Sequence, residues 1–256
     1  MDEIIYRRLA SKHGIATAFI IKDYYLMKLL QYVSAYGPKE LILTGGTAIN
    51  KVYLKDRARF SEDADFELRY KVRVANLINS LGRLADRSKD FSGTEGRILK
   101  VYYQMDFLYK GLNDMDKVRL DVAFNEVAPK KSEFGTEEIT STFSGERVYG
   151  LCTYSLEELL ARKLYAVYRR TEGKDIYDLF YGLELADRRK LHEANERFFK
   201  YKKLVFAESV LDIAQKLRTI KHSYIAPRVN NYIPMRLRPT NWEIVSNSIA
   251  DYIINL

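Results

Sequence analysis

Cysteine is nearly missing from this chain: Cys152 stands alone among 256 residues. One thiol forms no internal disulfide, builds no zinc site and gives no ground for a thiol nucleophile. Histidine is scarce as well, and His13, His192 and His222 are isolated from one another with no metal-ligand spacing. Ser61 lacks a His and Asp arrangement, which leaves serine-hydrolase chemistry unsupported. No run approaches the roughly eighteen apolar residues that a bilayer requires. The start Met1-Asp2-Glu3 lacks the basic head and apolar centre of a secretory leader, so the expectation is a cytoplasmic protein with no membrane partner. There is no internal repeat and no low-complexity tract.

What is present is a substantial apolar fraction, 47%, enough for a real core in one large or two modest domains. The formal charge of +8 favours polyanionic partners at low salt. That charge is uneven. From Ile213 to Trp242 there is no Asp or Glu, while Lys216, Arg218, Lys221, Arg228, Arg236 and Arg238 alternate with Tyr224, Tyr232 and Trp242. Cations interleaved with aromatics suit a phosphate backbone with unstacked bases. Pro227, Pro234 and Pro239 fall in the same segment and favour an extended arm or irregular loop over a continuous helix. A wrapping loop with a solvated basic face, or a protein contact, fits the same composition.

The chemistry concentrates earlier. Leu41 to Thr44 is a short apolar run ending in Gly45-Gly46, and Thr47 through Leu54 reads as a helix. Backbone N–H groups converging at such a turn attract anions. Asp63-Ala64-Asp65-Phe66 follows. On a strand, Asp63, Asp65 and Glu67 share one face and Ala64, Phe66 and Leu68 the other, so one face packs and the other can hold a hard cation. A second strand-like run, Lys117 to Phe124, sets Val118, Leu120, Val122 and Phe124 against Arg119, Asp121 and Ala123. If the two strands are neighbours, Asp63, Asp65 and Asp121 converge beside the glycine turn, enough for a two-metal site of the phosphoryl-transfer kind. The plain alternatives are a tight turn at Gly45-Gly46, a solvated acidic face paired with Arg57, Arg59 or Arg69, and an exposed Asp121 paired with Arg119 or Lys117.

Gly45-Gly46-Thr47-Ala48-Ile49-x-Lys51-x-Tyr53, followed by Arg59-Phe60-Ser61-Glu62-Asp63-Ala64-Asp65-Phe66, resembles the AbiEii/AbiGii toxin family within the DNA polymerase β-type nucleotidyltransferase superfamily. A second block resembling that family runs from Glu158 to Ala166 and from Arg169 to Leu179, with Lys163, Asp175 and Asp178 at its motif positions. The resemblance spans roughly residues 40 to 180. It departs from the family pattern at Ala64, where a larger aliphatic residue is usual, and at Lys174, where Arg is common.

The resemblance implies a toxin of a toxin–antitoxin pair that moves a nucleotide from a nucleoside triphosphate to RNA such as tRNA. It would use Mg²⁺ or Mn²⁺ and be restrained by a cognate antitoxin. Gly45, Gly46, Thr47, Ser61 and Lys163 would bind the nucleotide. Asp63, Asp65 and Asp121 would bind metal, with Lys163, Asp175 and Asp178 completing the catalytic set. Rival readings are a phosphotransferase using the same pocket and a non-catalytic RNA- or protein-binding module.

Ser155 to Arg170 opens with a capping-box pattern, and Leu156, Leu159, Leu160, Lys163, Leu164 and Val167 recur at helical spacing. Lys163 on that stripe must reach an anion or water, either a triphosphate or Asp175 and Asp178; a purely structural ion pair is the plain alternative.

The expected architecture is α+β: a nucleotidyltransferase-like mixed sheet with flanking helices over residues 1–150, then a mainly helical domain over 151–256 with the basic arm. Helix is expected from Ile4 to Tyr36, with Gly37-Pro38 as its stop, and from about Val72 to Ala85. A hairpin is expected around Gly111 to Asp114, and an edge strand within residues 130–150.

Overall fold

Four consecutive buried residues, Leu41 to Thr44, make β1 (Leu41–Thr44) a strand covered on both faces, and the sheet is assembled around it. The computed structural model describes residues 2–73, 75–77, 79, 81, 94–95, 98–104 and 117–256. Two compact units result, Met1–Ala128 with Phe134–Thr153, and Pro129–Glu133 with Tyr154–Leu256.

In the first unit, β1 pairs antiparallel with β2 (Asp63–Leu68), and β2 pairs in parallel with β5 (Lys117–Val127). β3 (Thr94–Glu95) and β4 (Ile98–Gln104) continue the sheet beyond β5, each antiparallel to its neighbour. On the other side β1 runs parallel to β9 (Cys152–Tyr154), and β6 (Phe134–Thr136) forms the edge. The spatial order is therefore β3-β4-β5-β2-β1-β9-β6, a mixed sheet. A separate two-stranded ribbon joins β7 (Ile139–Thr140) to β8 (Arg147–Val148). The edge strand anticipated within 130–150 is β6. The pairing of β4 with β5 agrees with a hairpin, although its loop at 111–114 lies outside the described residues. So does most of the helix expected over 72–85.

The single helical stretch expected over 4–36 is two helices. Gly14 closes α1 (Glu3–His13) with N–H bonds to the Ala10 and Ser11 carbonyls, and α2 (Thr17–Tyr36) starts afresh. α2 packs on β5 and β2, and its buried residues lie around most of its circumference, as expected of a helix sunk into a core. One of them is Asp23, fully buried. Its carboxylate accepts bonds from the Lys51 ammonium and the Ser141 hydroxyl, and from Ser144 Oγ at 2.9 Å. Lys51 belongs to the helix after the glycines, which begins at Gly45 rather than Thr47: α3 (Gly45–Ala48) widens into a π-helix, Ile49–Leu54. The widened turn carries Asn50 and Lys51 inward, where Asn50 Nδ2 bonds the Gly46 carbonyl at 2.9 Å and its Oδ1 accepts from Arg59 N at 2.8 Å.

The second unit is helical: α4 (Leu156–Arg169), α5 (Gly173–Leu183), α6 (Arg188–Tyr201), α7 (Phe206–Arg218), α8 (His222–Val229) and α9 (Trp242–Ile254). Ser155 caps α4, accepting from Glu158 N at 3.4 Å, and Leu156, Leu159, Leu160, Leu164 and Val167 are buried as the spacing requires. Glu158, also fully buried, is held by Arg162 at 3.0 Å and by Arg197 at 2.5 Å, which ties α4 to α6.

The proline-rich segment departs from expectation. It is not an extended arm, because Pro227 is accommodated within α8, Ile225, Ala226, Val229 and Ile233 are buried, and short 3₁₀ turns at Asn230–Tyr232 and Met235–Leu237 bridge to α9. Apolar burial every few residues overrides the local breaking tendency of the prolines.

Asp23→Ala would leave the Lys51 ammonium buried without its counter-charge. A loss of about 3–5 kcal/mol is expected from urea unfolding, with a smaller loss for the double substitution Asp23→Leu, Lys51→Met. Equal losses in the two variants would mean that the pair is not what holds α2 to the π-helix.

Candidate functional site

β2 and β5 are distant in sequence and adjacent in the sheet. Their register sets Asp63 beside Arg119 and Asp65 beside Asp121, and β1 on the other side sets Thr44 beside Asp65. Adjacent strands lie roughly 4.8 Å apart, so the Asp65 and Asp121 side chains emerge as lateral neighbours on one face. The other face is apolar: Ala64, Phe66, Leu68, Val118, Leu120 and Val122 are all buried, while Asp63, Asp65 and Asp121 are partly accessible.

The glycine turn closes directly onto this acidic face. Gly45 has φ +69°, and a Cβ added there would lie 2.4 Å from Asp65 Oδ2. An L side chain is excluded both by the backbone conformation and by the carboxylate pressed against it. At Gly46 an added Cβ would lie 2.6 Å from an Arg59 guanidinium nitrogen and 3.3 Å from Ser61 Oγ. Thr47 Oγ1 donates within the protein, to the Asp63 carbonyl, and lies 2.9 Å from Ser61 Oγ. Thr47 and Ser61 are both buried, so their hydroxyls bind the start of α3 to the start of β2.

Two arginines, neither of them among the sequence candidates for the site, complete the arrangement. Arg59 is 3% exposed, donates to the Phe60 carbonyl at 2.9 Å and brings a positive charge over Gly46. Arg119 projects from the acidic face and contacts two of its carboxylates, Asp63 Oδ2 at 2.5 Å and Asp121 Oδ2 at 3.1 Å. Burial disfavours its charged form, but Asp121, Asp63 and Asp65 outweigh that and hold its pKa above the ordinary arginine value. The sequence contained a signal for Arg119, since it alternates in phase with Asp121. For Arg59 the signal was its place in the motif and nothing physical. Asp63 is not paired with Arg57, Arg59 or Arg69, the surface partners a bland strand face would use; Arg69 instead lies over the Phe134 ring, 4.7 Å from its centroid.

The donor chemistry fits a hard divalent cation, because Mg²⁺ commonly takes one or two carboxylates and completes its octahedron with waters and phosphate oxygens. Asp65 and Asp121 stand side by side in the sheet, and Arg119 engages both Asp63 and Asp121. Among the described residues no three acidic, His or Cys side chains are gathered so as to hold a metal between them.

In the second unit the remaining sequence candidates form a triad. Lys163 Nζ lies 2.6 Å from Asp175 Oδ1 and 2.9 Å from Asp178 Oδ2, all three buried, and Arg170 Nε reaches Asp175 Oδ2 at 3.3 Å. Of the two anions considered for Lys163, its ammonium engages the two aspartates, and the triad clamps α4 to α5.

A family model for the nucleotidyl transferase AbiEii toxin of type IV toxin–antitoxin systems matches residues 29–241. That extends well past the two motif blocks. No curated protein sequence matches the chain. Among solved structures, it is similar to MenT4, a nucleotidyltransferase toxin from Mycobacterium tuberculosis H37Rv, with 15% identity, TM-score 0.65, all of this chain and 90% of that one covered. It is also similar to a candidate nucleotidyltransferase from H. pylori (18%, TM-score 0.52, covering 91% and 93%) and to JHP933 from Helicobacter pylori (18%, 0.50, 91% and 90%). At these identities the structural likeness speaks to the fold. No helix among the described residues is long and apolar enough to cross a membrane. With the family model covering most of its length, and with the glycine turn and the aspartate strands forming one face, the chain belongs to the AbiEii family of nucleotidyltransferase toxins.

Proposed function

We propose that this protein moves a nucleoside monophosphate from a nucleoside triphosphate onto an RNA acceptor such as tRNA, with Mg²⁺ or Mn²⁺ bound by Asp65 and Asp121, and that an antitoxin restrains it. The observation that carries the reading is the register that sets Asp65 beside Asp121 while Gly45 yields its side-chain space to the Asp65 carboxylate. An acceptor hydroxyl attacks the α-phosphorus in line, a new P–O bond forms, the bond to pyrophosphate breaks, and the hydroxyl proton is released to solvent. A metal held by Asp65 and Asp121 would supply neutralisation of the charge that develops in this transfer. The residues of this chain provide the placement: the absence of side chains at Gly45 and Gly46 lets the Asp65 carboxylate and the Arg59 guanidinium close on the turn, and Thr47 and Ser61 fix that turn to β2. Asp63 completes the acidic face.

The Lys163–Asp175–Asp178 triad enters as the downstream motif of the family. Its carboxylates and ammonium satisfy one another, so replacing Lys163 alone strands two buried acids. Loss of activity in such a variant therefore bears on catalysis only where the melting profile is unchanged.

An RNA acceptor is supported by the basic surface of the second unit, which the structure narrows. Of the six cations between 213 and 242, Lys216 donates to the Tyr168 carbonyl, Arg218 pairs with Asp251 at 2.8 Å, and Arg238 donates to the Ile233 carbonyl at 3.0 Å. Trp242 is fully buried and unavailable for stacking. Lys221, Tyr224, Arg228 and Arg236 are exposed, and the Arg228 guanidinium, which donates to the Tyr224 carbonyl at 2.6 Å, lies 3.8 Å from the Tyr224 ring centroid, with Tyr224 50% exposed. An arginine stacked on an accessible tyrosine offers a phosphate contact beside a platform for an unpaired base.

Incubation with α-labelled triphosphates, Mg²⁺ and total RNA is expected to label RNA, and Asp65→Asn to lower incorporation by at least ~100-fold without lowering the melting temperature. Transfer of γ-label in place of α-label would make the protein a phosphotransferase, and full incorporation by the Asn variant would refute the assignment. For acceptor binding, replacing Lys221, Arg228 and Arg236 with Gln should flatten the slope of log affinity against log salt by ~2, since each lost phosphate contact on a single strand contributes about 0.7. An unchanged slope would mean that this face does not touch phosphate.

A further inference from the structure

Arg119 is the side chain that the established family membership leaves unexplained. It sits on β5 two residues before Asp121, on the same face, and its register partner on β2 is Asp63. One guanidinium thus touches a carboxylate on each strand, Asp63 at 2.5 Å and Asp121 at 3.1 Å, while its side chain remains 41% exposed. Carboxylates on neighbouring strands repel one another, by about 1–4 kcal/mol for a pair 4 Å apart. An arginine spanning two of them relieves that repulsion and fixes their spacing. The position it occupies, in front of Asp121 and between the two strands, is also where a cation shared by Asp65 and Asp121 would draw its charge.

We propose that Arg119 is a positioning residue that serves as the resident counter-charge of the acidic face and gives up the Asp121 carboxylate when a divalent cation binds. Three physical features point this way. The guanidinium is planar and multidentate, so it can keep Asp63 while releasing Asp121. Its contact to Asp121 is the longer of the two. Its exposure leaves it free to rotate outward, in contrast to Arg59, which is buried against the backbone. Metal binding is then an exchange of one cation for another at a face that stays neutralised throughout, and the acids keep their geometry before the metal arrives. The inference rests on the proposed assignment of Asp65 and Asp121 as metal ligands.

The test is Mn²⁺ binding to the nucleotide-free protein, read from the spectral signal of free Mn²⁺ during titration, with the native protein, Arg119→Met and Asp65→Asn side by side. If Arg119 competes with the metal for Asp121, its removal should tighten Mn²⁺ binding roughly two- to fivefold, the range expected for one partly exposed ion pair. Mn²⁺ should also raise the melting temperature of Arg119→Met more than that of the native protein. Unchanged or weaker Mn²⁺ binding in Arg119→Met, with Asp65→Asn devoid of binding, would overturn the role of Arg119 and leave the metal assignment standing. Native-like Mn²⁺ binding by Asp65→Asn would instead defeat the metal assignment itself. Should Arg119→Met fail to fold, Arg119→Gln gives the same reading, because the neutral amide keeps a donor on the face without the counter-charge. Mn²⁺ binding tighter than native supports the exchange, and native or weaker binding overturns it.

Discussion

The parallel pairing of β2 with β5 is the constraint on which the rest depends. Each strand carries its acids on the face opposite its packed side chains, so burying Ala64, Phe66 and Leu68 together with Val118, Leu120 and Val122 forces Asp63, Asp65 and Asp121 out on the same side. The apolar face is what fixes the acidic one. A slip of one residue in either strand would send its carboxylates into the core and its valines or leucines into water. The cost of burying those acids makes the register hard to lose, and the catalytic geometry comes from hydrophobic packing rather than from any attraction among the acids, which repel.

Much of this was legible in the residues. Alternation along Asp63 to Leu68 and Val118 to Val122 assigned the faces correctly, and the glycine pair after a four-residue apolar run marked the turn. The capping pattern at Ser155 and the stripe behind it located α4. These are local signals with a period that one stretch of chain carries by itself. What sequence could not supply was adjacency: nothing in Asp63–Asp65 or in Asp121 says that more than fifty intervening residues return the chain to the next position in the sheet. Arg59 was illegible for a similar reason. A charged residue in a polar stretch reads as surface, and only the enclosure of the turn by β2 buries it.

The C-terminal segment failed in the opposite direction, because its local signals were strong and misleading. Three prolines within 227–239 argue against helix, yet α8 forms, with Ile225, Ala226, Val229 and Ile233 buried. Proline costs most where its missing N–H would have been bonded inside a long helix. In a helix of eight residues the interior is short and apolar burial prevails. The same burial leaves Lys221, Arg228 and Arg236 exposed at the surface of the segment.

Buried charge serves different ends across the molecule. Asp23 with Lys51, Glu158 with Arg162 and Arg197, and Lys163 with Asp175 and Asp178 are enclosed sets in which each acid faces at least one cation, and each set joins separate helices. Such sets add little net stability over apolar packing, but they penalise any arrangement that separates the partners, so they select one packing among several. The acidic face is built otherwise. Its side chains stay partly accessible, and Arg119 spans two of its carboxylates, Asp63 and Asp121. Where the enclosed sets shut their acids away from water, these three stand partly open beside a glycine turn. Carboxylates held in fixed geometry by a hydrophobic sheet face are the donor chemistry that the proposed divalent cation would require.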